Sequence, residues 1–84
     1  MSKGDYMKVN ELPLPIQNRL RVLEVLLDQY GYVNRKTLCD LHGLETATVS
    51  RDIATYRKLS DGSCFYNQAT RRIEKLSNFK RLFN

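Results

Sequence analysis

Apolar side chains in the first part of the chain recur at steps of three and four residues, the spacing of one helical face. The pattern predicts a helix from about Pro15 to Tyr30, because proline suits a first helical position and Gly31 suits a C-terminal stop. The side chains expected to face inward are Ile16, Leu20, Val22, Leu23, Val25, Leu26, Leu27 and Tyr30.

A second and shorter helix follows a brief extended segment at Tyr32 and Val33. Asn34 is a suitable N-cap for a helix from about Arg35 to His42. Gly43 ends this helix at a position suited to a positive φ angle. The side chains expected to face inward are Leu38 and Leu41.

The third helix, from Glu45 or Thr46 to Leu59, has two different faces. Val49, Ile53 and Tyr56 cluster on one side and are expected to pack against the first two helices. The opposite face consists of small side chains around long cations, with threonines on its flanks: Ala47, Ser50, Arg51, Ala54 and Lys58, with Thr46, Thr48 and Thr55.

Beyond Ser60 the pattern changes from helical to alternating. Turn residues and an aromatic run predict a β-hairpin of Ser63–Asn67 with Arg71–Leu76, in which Phe65 and Ile73 form the buried pair. The tail carries Phe79, Leu82 and Phe83 at helical spacing, which predicts one or two helical turns.

These elements predict one small domain, mainly α with a small β-hairpin. We expect residues 1–11 to form a flexible arm, residues 12–76 the folded domain, and residues 77–84 a tail that either contacts a second copy or covers the domain's own core.

The net charge of the 84-residue chain is +5, and the whole surplus lies in residues 34–84. A one-sided basic surplus indicates a polyanionic partner, usually nucleic acid, although a merely solvated surface would look the same. Cys39 and Cys64 lack zinc-ligand spacing and His42 is the single histidine, so we expect free thiols, no metal and no cofactor. No catalytic set can be assembled and no apolar run approaches about 18 residues, so neither an enzyme nor a membrane protein is expected. We expect a cytoplasmic protein.

The two helices joined at Gly43 form a helix-turn-helix pattern, in which Leu44 plugs the turn and Val49 anchors the second helix. The segment "LHGLETATVSRDIATYRKL" resembles the helix-turn-helix of DeoR-type repressors, and the matching residues are Gly43, Leu44, Thr48, Val49, Arg51, Asp52 and Ile53. It is still more similar to the winged-helix domain that precedes WYL domains in bacterial transcription factors, including regulators of phage-defence loci. The resemblance covers about Pro15 to Leu76 and implies a winged helix-turn-helix of three helices plus a wing.

The chain departs from these relatives at two points. Glu45 stands where they have a serine N-cap, so we expect Thr46 to cap the third helix instead. Because the sequence ends at Asn84, we expect no effector domain and no small-molecule effector. At the acidic position of the "SRD" segment we expect Asp52 to lie at the edge of the interface and pair with Arg35 or Arg57.

A helix entering the major groove needs small side chains for close approach, hydroxyls, and an arginine that can pair with guanine. The residues expected to contact bases are Thr46, Ala47, Ser50, Arg51 and Thr55. The residues expected to contact phosphates are Arg35, Lys36 and Thr37 of the second helix, Thr48 and Lys58 of the third, and Arg71, Arg72 and Lys75 of the wing. The wing arginines have an alternative role as charges that protect an edge strand.

The leading hypothesis is a sequence-specific double-stranded DNA-binding regulator of a bacterium or phage, acting as a repressor. A domain of this size covers about one half-site, so a homodimer on a palindromic operator is expected, with the tail, the first helix or the N-terminal arm as its contact. Two alternatives stay open: an excisionase-like architectural factor of a mobile element, and a winged helix used only for protein contact.

Overall fold

The computed structural model describes residues 8–83. A 3-10 turn at Val9–Glu11 precedes the remaining elements, which are α1 (Leu14–Tyr30), β1 (Tyr32–Asn34), α2 (Arg35–His42), α3 (Thr46–Leu59), β2 (Cys64–Asn67) and β3 (Arg72–Lys75). The three predicted helices and the hairpin are therefore confirmed. Most of the predicted N-terminal arm, residues 1–7, lies outside the described residues.

Helix α1 forms the centre of the core. Leu20, Leu23 and Leu27 are buried along one side of it, as the periodicity predicts. Gly31 ends the helix at φ 84°, and its N–H donates to the carbonyl of Leu27. The predicted inward face was too wide, because Val25 and Tyr30 are exposed. The buried stripe is narrow since α3 and the sheet pack on a single side of α1.

The two short turns around α2 use the expected capping groups. The side-chain oxygen of Asn34 accepts a hydrogen bond from the backbone N–H of Lys36 at 2.8 Å, and Gly43 closes the helix at φ 65°. Leu38 is buried, but the expectation for Leu41 was wrong, because 55 % of that side chain is exposed. Cys39 packs against the core instead, so the inner face of α2 runs through positions 38 and 39.

Helix α3 starts at Thr46, with Glu45 in the N-cap position and no side-chain hydrogen bond capping it. The prediction that Thr46 caps the helix was therefore wrong, and Thr46 is the first helical residue. Val49, Ile53 and Tyr56 are buried, as predicted. The outer face of the helix is consequently turned away from the core.

The wing, which is the hairpin of β2 and β3, belongs to a three-stranded antiparallel sheet of order β1-β3-β2. Ile73 of β3 lies between Val33 of β1 and Tyr66 of β2. The prediction that Phe65 pairs with Ile73 was wrong, because Phe65 lies opposite Glu74 and is 37 % exposed. Neighbouring strand residues face opposite sides, so seating Tyr66 on the core turns Phe65 outward.

The tail covers the domain's own core without forming the predicted helical turns. The N–H of Phe79 closes a reverse turn on the carbonyl of Leu76, and Phe83 is buried. Glu24 of α1 is fully buried, and its carboxylate accepts hydrogen bonds from the backbone N–H groups of Leu82 and Phe83. Accepting two main-chain donors satisfies both oxygens of a carboxylate that would otherwise be costly to bury.

Candidate nucleic-acid interface

Arg51 stands on the outer face of α3 and is exposed to solvent. Its side chain makes no hydrogen bond and no ion pair with any other residue of the range 8–83. Ala47, Ala54 and Lys58 are exposed on the same face. Small neighbours and a free five-donor cation leave this surface open to a partner that approaches closely.

Asp52, the neighbour of Arg51, points the other way. Asp52 is buried, and its Oδ2 lies 2.6 Å from Nε of Arg19, while Oδ1 lies 3.2 Å from Nη2 of Arg19. The predicted partners Arg35 and Arg57 were therefore wrong, and so was a place at the edge of the interface. The hydrogen bond to Asp52 raises the pKa of Arg19 above its ordinary value. This two-bond pair joins α3 to α1 at the residue next to the exposed arginine.

Arg35 connects the start of α2 with both α3 and the wing. Its Nη1 donates to Oγ of Ser50 at 3.3 Å, and its backbone N–H donates to the carbonyl of Arg71 at 3.0 Å. Arg71 has a left-handed backbone conformation, with φ 57°, at the point where the wing turns back into β3. The backbone bond thus holds the wing tip beside the first turn of α2.

A first cavity, the wing-tip cleft, collects several of the predicted phosphate contacts. The residues that line it are Asn34, Arg35, Lys36, Cys39, Asp40, Thr46, Thr70 and Arg71. Predicted residues from α2, α3 and the wing therefore meet in one place. Lys36 is paired with Asp40 at 3.1 Å, but both side chains are largely exposed, and such a pair contributes only about 0.3–0.5 kcal/mol. A phosphate could replace Asp40 at little cost.

A second cavity, the helix–wing cleft, lies between α3 and β2. The residues that line it are Arg35, Ser50, Ile53, Ala54, Arg57, Tyr66 and Gln68. Arg57 and Gln68 were not among the contacts predicted from the sequence. Arg57 follows Ser50 by seven residues, and this two-turn spacing was the signal that placed both on one side of α3.

Other predicted contacts are engaged elsewhere or only partly accessible. Arg72 is half-buried, pairs with Glu74 at 3.1 Å and lies over the ring of Tyr32. Lys75 donates to the carbonyl of Asp28 at 2.8 Å. Lys75 thus joins the sheet to α1, while Arg72 links β3 to β1 within the sheet. Neither is among the described residues that line the two clefts. Thr37 lines a separate groove with Leu26, Tyr30 and Tyr32, and both Thr48 and Thr55 are half-buried.

The comparison with known proteins agrees with this arrangement. A family described as the BrxR transcriptional regulator winged helix-turn-helix domain matches residues 15–84. The chain belongs to this family. It is also similar to the DNA-binding transcriptional repressor CapW of Pseudomonas aeruginosa, with 30% identity over 67 residues, which is 80% of this chain and 22% of that protein. The resemblance to winged-helix regulators that was drawn from the "SRD" segment is thereby confirmed.

Membership in the BrxR winged-helix family identifies the chain as a DNA-binding regulator domain. The chain spans about a fifth of the length of the curated relative. Over residues 8–83, no helix is both long enough and apolar enough to cross a membrane.

Proposed function

We propose that this winged-helix domain recognises a specific double-stranded DNA sequence and represses transcription from it. The exposure of Arg51 supports the proposal most directly, because its neighbour Asp52 is held to the protein body while Arg51 itself has no hydrogen-bond or ion-pair partner among residues 8–83. An arginine on a helix in the major groove can donate two hydrogen bonds to O6 and N7 of guanine. In this proposal Thr46 and Ala47 lie against neighbouring bases.

The wing-tip cleft supplies the grip on the DNA backbone. Arg35, Lys36 and Arg71 bring three positive charges to it from two different elements. Phosphate contacts of this kind fix the register of the protein on the duplex without specifying its sequence. Bound repressor then occludes RNA polymerase. The similar protein CapW is a transcriptional repressor, which supports this direction of regulation.

The test is selection of bound sites from random duplex DNA. We expect Arg51→Ala to relax the preference at one or two base pairs and to cost about 1–3 kcal/mol on the preferred site. Arg71→Gln should weaken binding to all sequences similarly. Arg81→Gln removes the same charge beside Asp28 and serves as the matched control. Equal and sequence-independent losses from Arg51→Ala and Arg71→Gln would contradict the assignment of the base-contacting residue.

We further propose that two copies bind one palindromic operator. Half-sites for such a homodimer are centred about 10–10.5 base pairs apart or a multiple of that distance. Nuclease protection of the DNA measures the extent of the site, and sedimentation of the complex measures the number of copies bound to it. Several adjacent direct repeats would favour the architectural alternative, and the absence of salt-dependent DNA affinity would favour the protein-contact alternative.

A further inference from the structure

The helix–wing cleft brings two arginines together without a carboxylate. Arg35 enters it from α2 and Arg57 from the last turn of α3, and none of the described residues that line it is acidic. Neither arginine forms an ion pair with any residue from 8 to 83, whereas Arg19, Arg72 and Lys75 all do. Two like charges at one cavity repel each other unless an anion lies between them.

The remaining lining fits more than an isolated anion. Ser50 and Gln68 offer neutral hydrogen-bonding groups, while Ile53, Ala54 and Tyr66 provide an apolar wall. Oγ of Ser50 already accepts a hydrogen bond from Arg35, which orients that guanidinium toward α3. A basic rim beside an apolar wall suits a ligand with a charged end and a carbon-rich end.

The position of the cleft indicates which ligand this is. The major and minor grooves of duplex DNA are separated by a single sugar–phosphate strand. A protein with one helix in the major groove and a wing against the adjacent backbone or minor groove must therefore straddle that strand. In this domain the space between the helix and the wing is the helix–wing cleft.

We propose that the helix–wing cleft binds one nucleotide unit of the DNA strand that runs between the two grooves. Arg35 and Arg57 hold the phosphate, with Ser50 and Gln68 at its sides, and the deoxyribose lies against Ile53, Ala54 and Tyr66. This assignment rests on the proposed DNA binding and adds Arg57 and Gln68 to the interface. It also accounts for the open space between α3 and the wing.

The first experiment measures the salt dependence of binding to a mixed-sequence duplex. One lost phosphate contact reduces the slope of log K against log salt by about 0.9, so the advantage of wild type over Arg57→Gln should shrink about threefold between about 50 and 200 mM salt. Arg57→Lys keeps the charge and should retain most of the slope. Arg81→Gln has the same charge change outside the cleft and should leave it unaltered. A slope for Arg57→Gln equal to that of Arg81→Gln would overturn the proposal.

The second experiment locates the contact on the selected operator by replacing single phosphates with neutral methylphosphonates. At one phosphate in each half-site, the methylphosphonate should weaken binding of the wild-type protein but should not weaken binding of Arg57→Gln any further. Additive losses at every position would show that Arg57 acts only through the overall field. Thermal unfolding of each variant checks that the exposed substitutions leave the fold intact.

Inorganic phosphate separates a strand-binding cleft from a site for free anions. At matched ionic strength it should compete with DNA no better than chloride does. Saturable competition that Arg57→Gln abolishes would overturn the assignment to a DNA strand. A wild-type protein that binds no duplex would refute the proposed function as a whole, whereas normal binding with an unchanged Arg57→Gln slope would refute only the cleft.

Discussion

The ion pair between Arg19 and Asp52 is the contact whose removal should change both the fold and the DNA-facing helix. We consider Arg19→Met, Asp52→Asn and the double variant. Nε and Nη2 of Arg19 lie 2.6 and 3.2 Å from the two carboxylate oxygens of Asp52, so both are within hydrogen-bond distance. The side chain of Arg19 is 21% exposed and that of Asp52 is 11% exposed. The pair is thus neither a solvent-exposed bridge nor a fully buried one.

The expected energies follow from that intermediate burial. Exposed pairs contribute about 0.2–1 kcal/mol, and breaking a fully buried pair costs about 3–5 kcal/mol. We therefore expect Asp52→Asn to lower the free energy of unfolding by about 2 kcal/mol, and the double-mutant cycle to give a coupling energy of about 1–2 kcal/mol. Neither side chain is predicted to contact DNA. Because each single variant changes the net charge by one unit and so alters the affinity for all sequences, the base preference, and not the affinity alone, reports the orientation of α3.

Urea unfolding of the four proteins measures the coupling, and duplex binding well below the midpoint of unfolding measures the orientation. We expect the selected operator to be bound more weakly by Asp52→Asn, with base preference blurred at the positions assigned to Arg51. A coupling energy below about 0.3 kcal/mol, the usual limit of additivity, would refute the reasoning. The reasoning would also be refuted if Asp52→Asn lost the expected free energy of unfolding and yet kept its base preference unchanged.

Three further predictions concern the core and the tail. Burial, reinforced by the charge of Glu24, raises the pKa of Tyr56, and burial raises that of Cys64. As the pH rises, the unfolded chain therefore loses these protons at a lower pH than the folded chain does. The free energy of unfolding should fall above about pH 9, and more steeply above about pH 10. Tyr56→Phe should remove the steeper part of this fall in an alkaline unfolding titration. Glu24→Gln leaves one tail N–H without its acceptor and should cost about 1–3 kcal/mol, with faster proteolysis after Leu76 as the measurement. In chemical unfolding Ile73→Ala should cost about 2–5 kcal/mol and Phe65→Ser about 0.5 kcal/mol or less, and similar losses from both would contradict the strand register.

Local signals were sufficient to predict the helices. Asn34, Gly31 and Gly43 act at the ends of helices through groups within four residues of themselves, so their effect can be predicted from neighbours in the chain alone. The inner face of α3 was predicted for the same reason. Val49, Ile53 and Tyr56 are apolar at helical spacing, and only one side of the helix can bury all three.

The errors occurred where a distant contact chooses between equivalent local options. Phe65 and Tyr66 are both aromatic, and only the pairing of Ile73 with Val33 and Tyr66 decides which of them faces the core. Arg19 lies 33 residues before Asp52, so no helical spacing could have indicated it in preference to nearer arginines. The two clefts exist only because the chain folds back on itself, and Gln68 has no local feature that marks it as a contact.

The positive charge of the domain is divided between two roles, and this division explains how so small a chain can present a specific surface. Arg19 and Lys75 are each paired with a carboxylate of another element and so join elements of the fold, while Arg72 is paired with Glu74 of its own strand and lies over Tyr32 of β1. By contrast, five cations of α2, α3 and the wing have no carboxylate partner within residues 8–83: Arg35, Arg51, Arg57, Lys58 and Arg71. Because the paired cations are neutralised locally, the long-range field of the domain comes mainly from its unpaired cations, which are this set together with others such as Arg21 and Lys80. Orientation toward a polyanion and contact with it therefore depend on the same residues, and neutralising a paired cation should affect stability before it affects association with DNA.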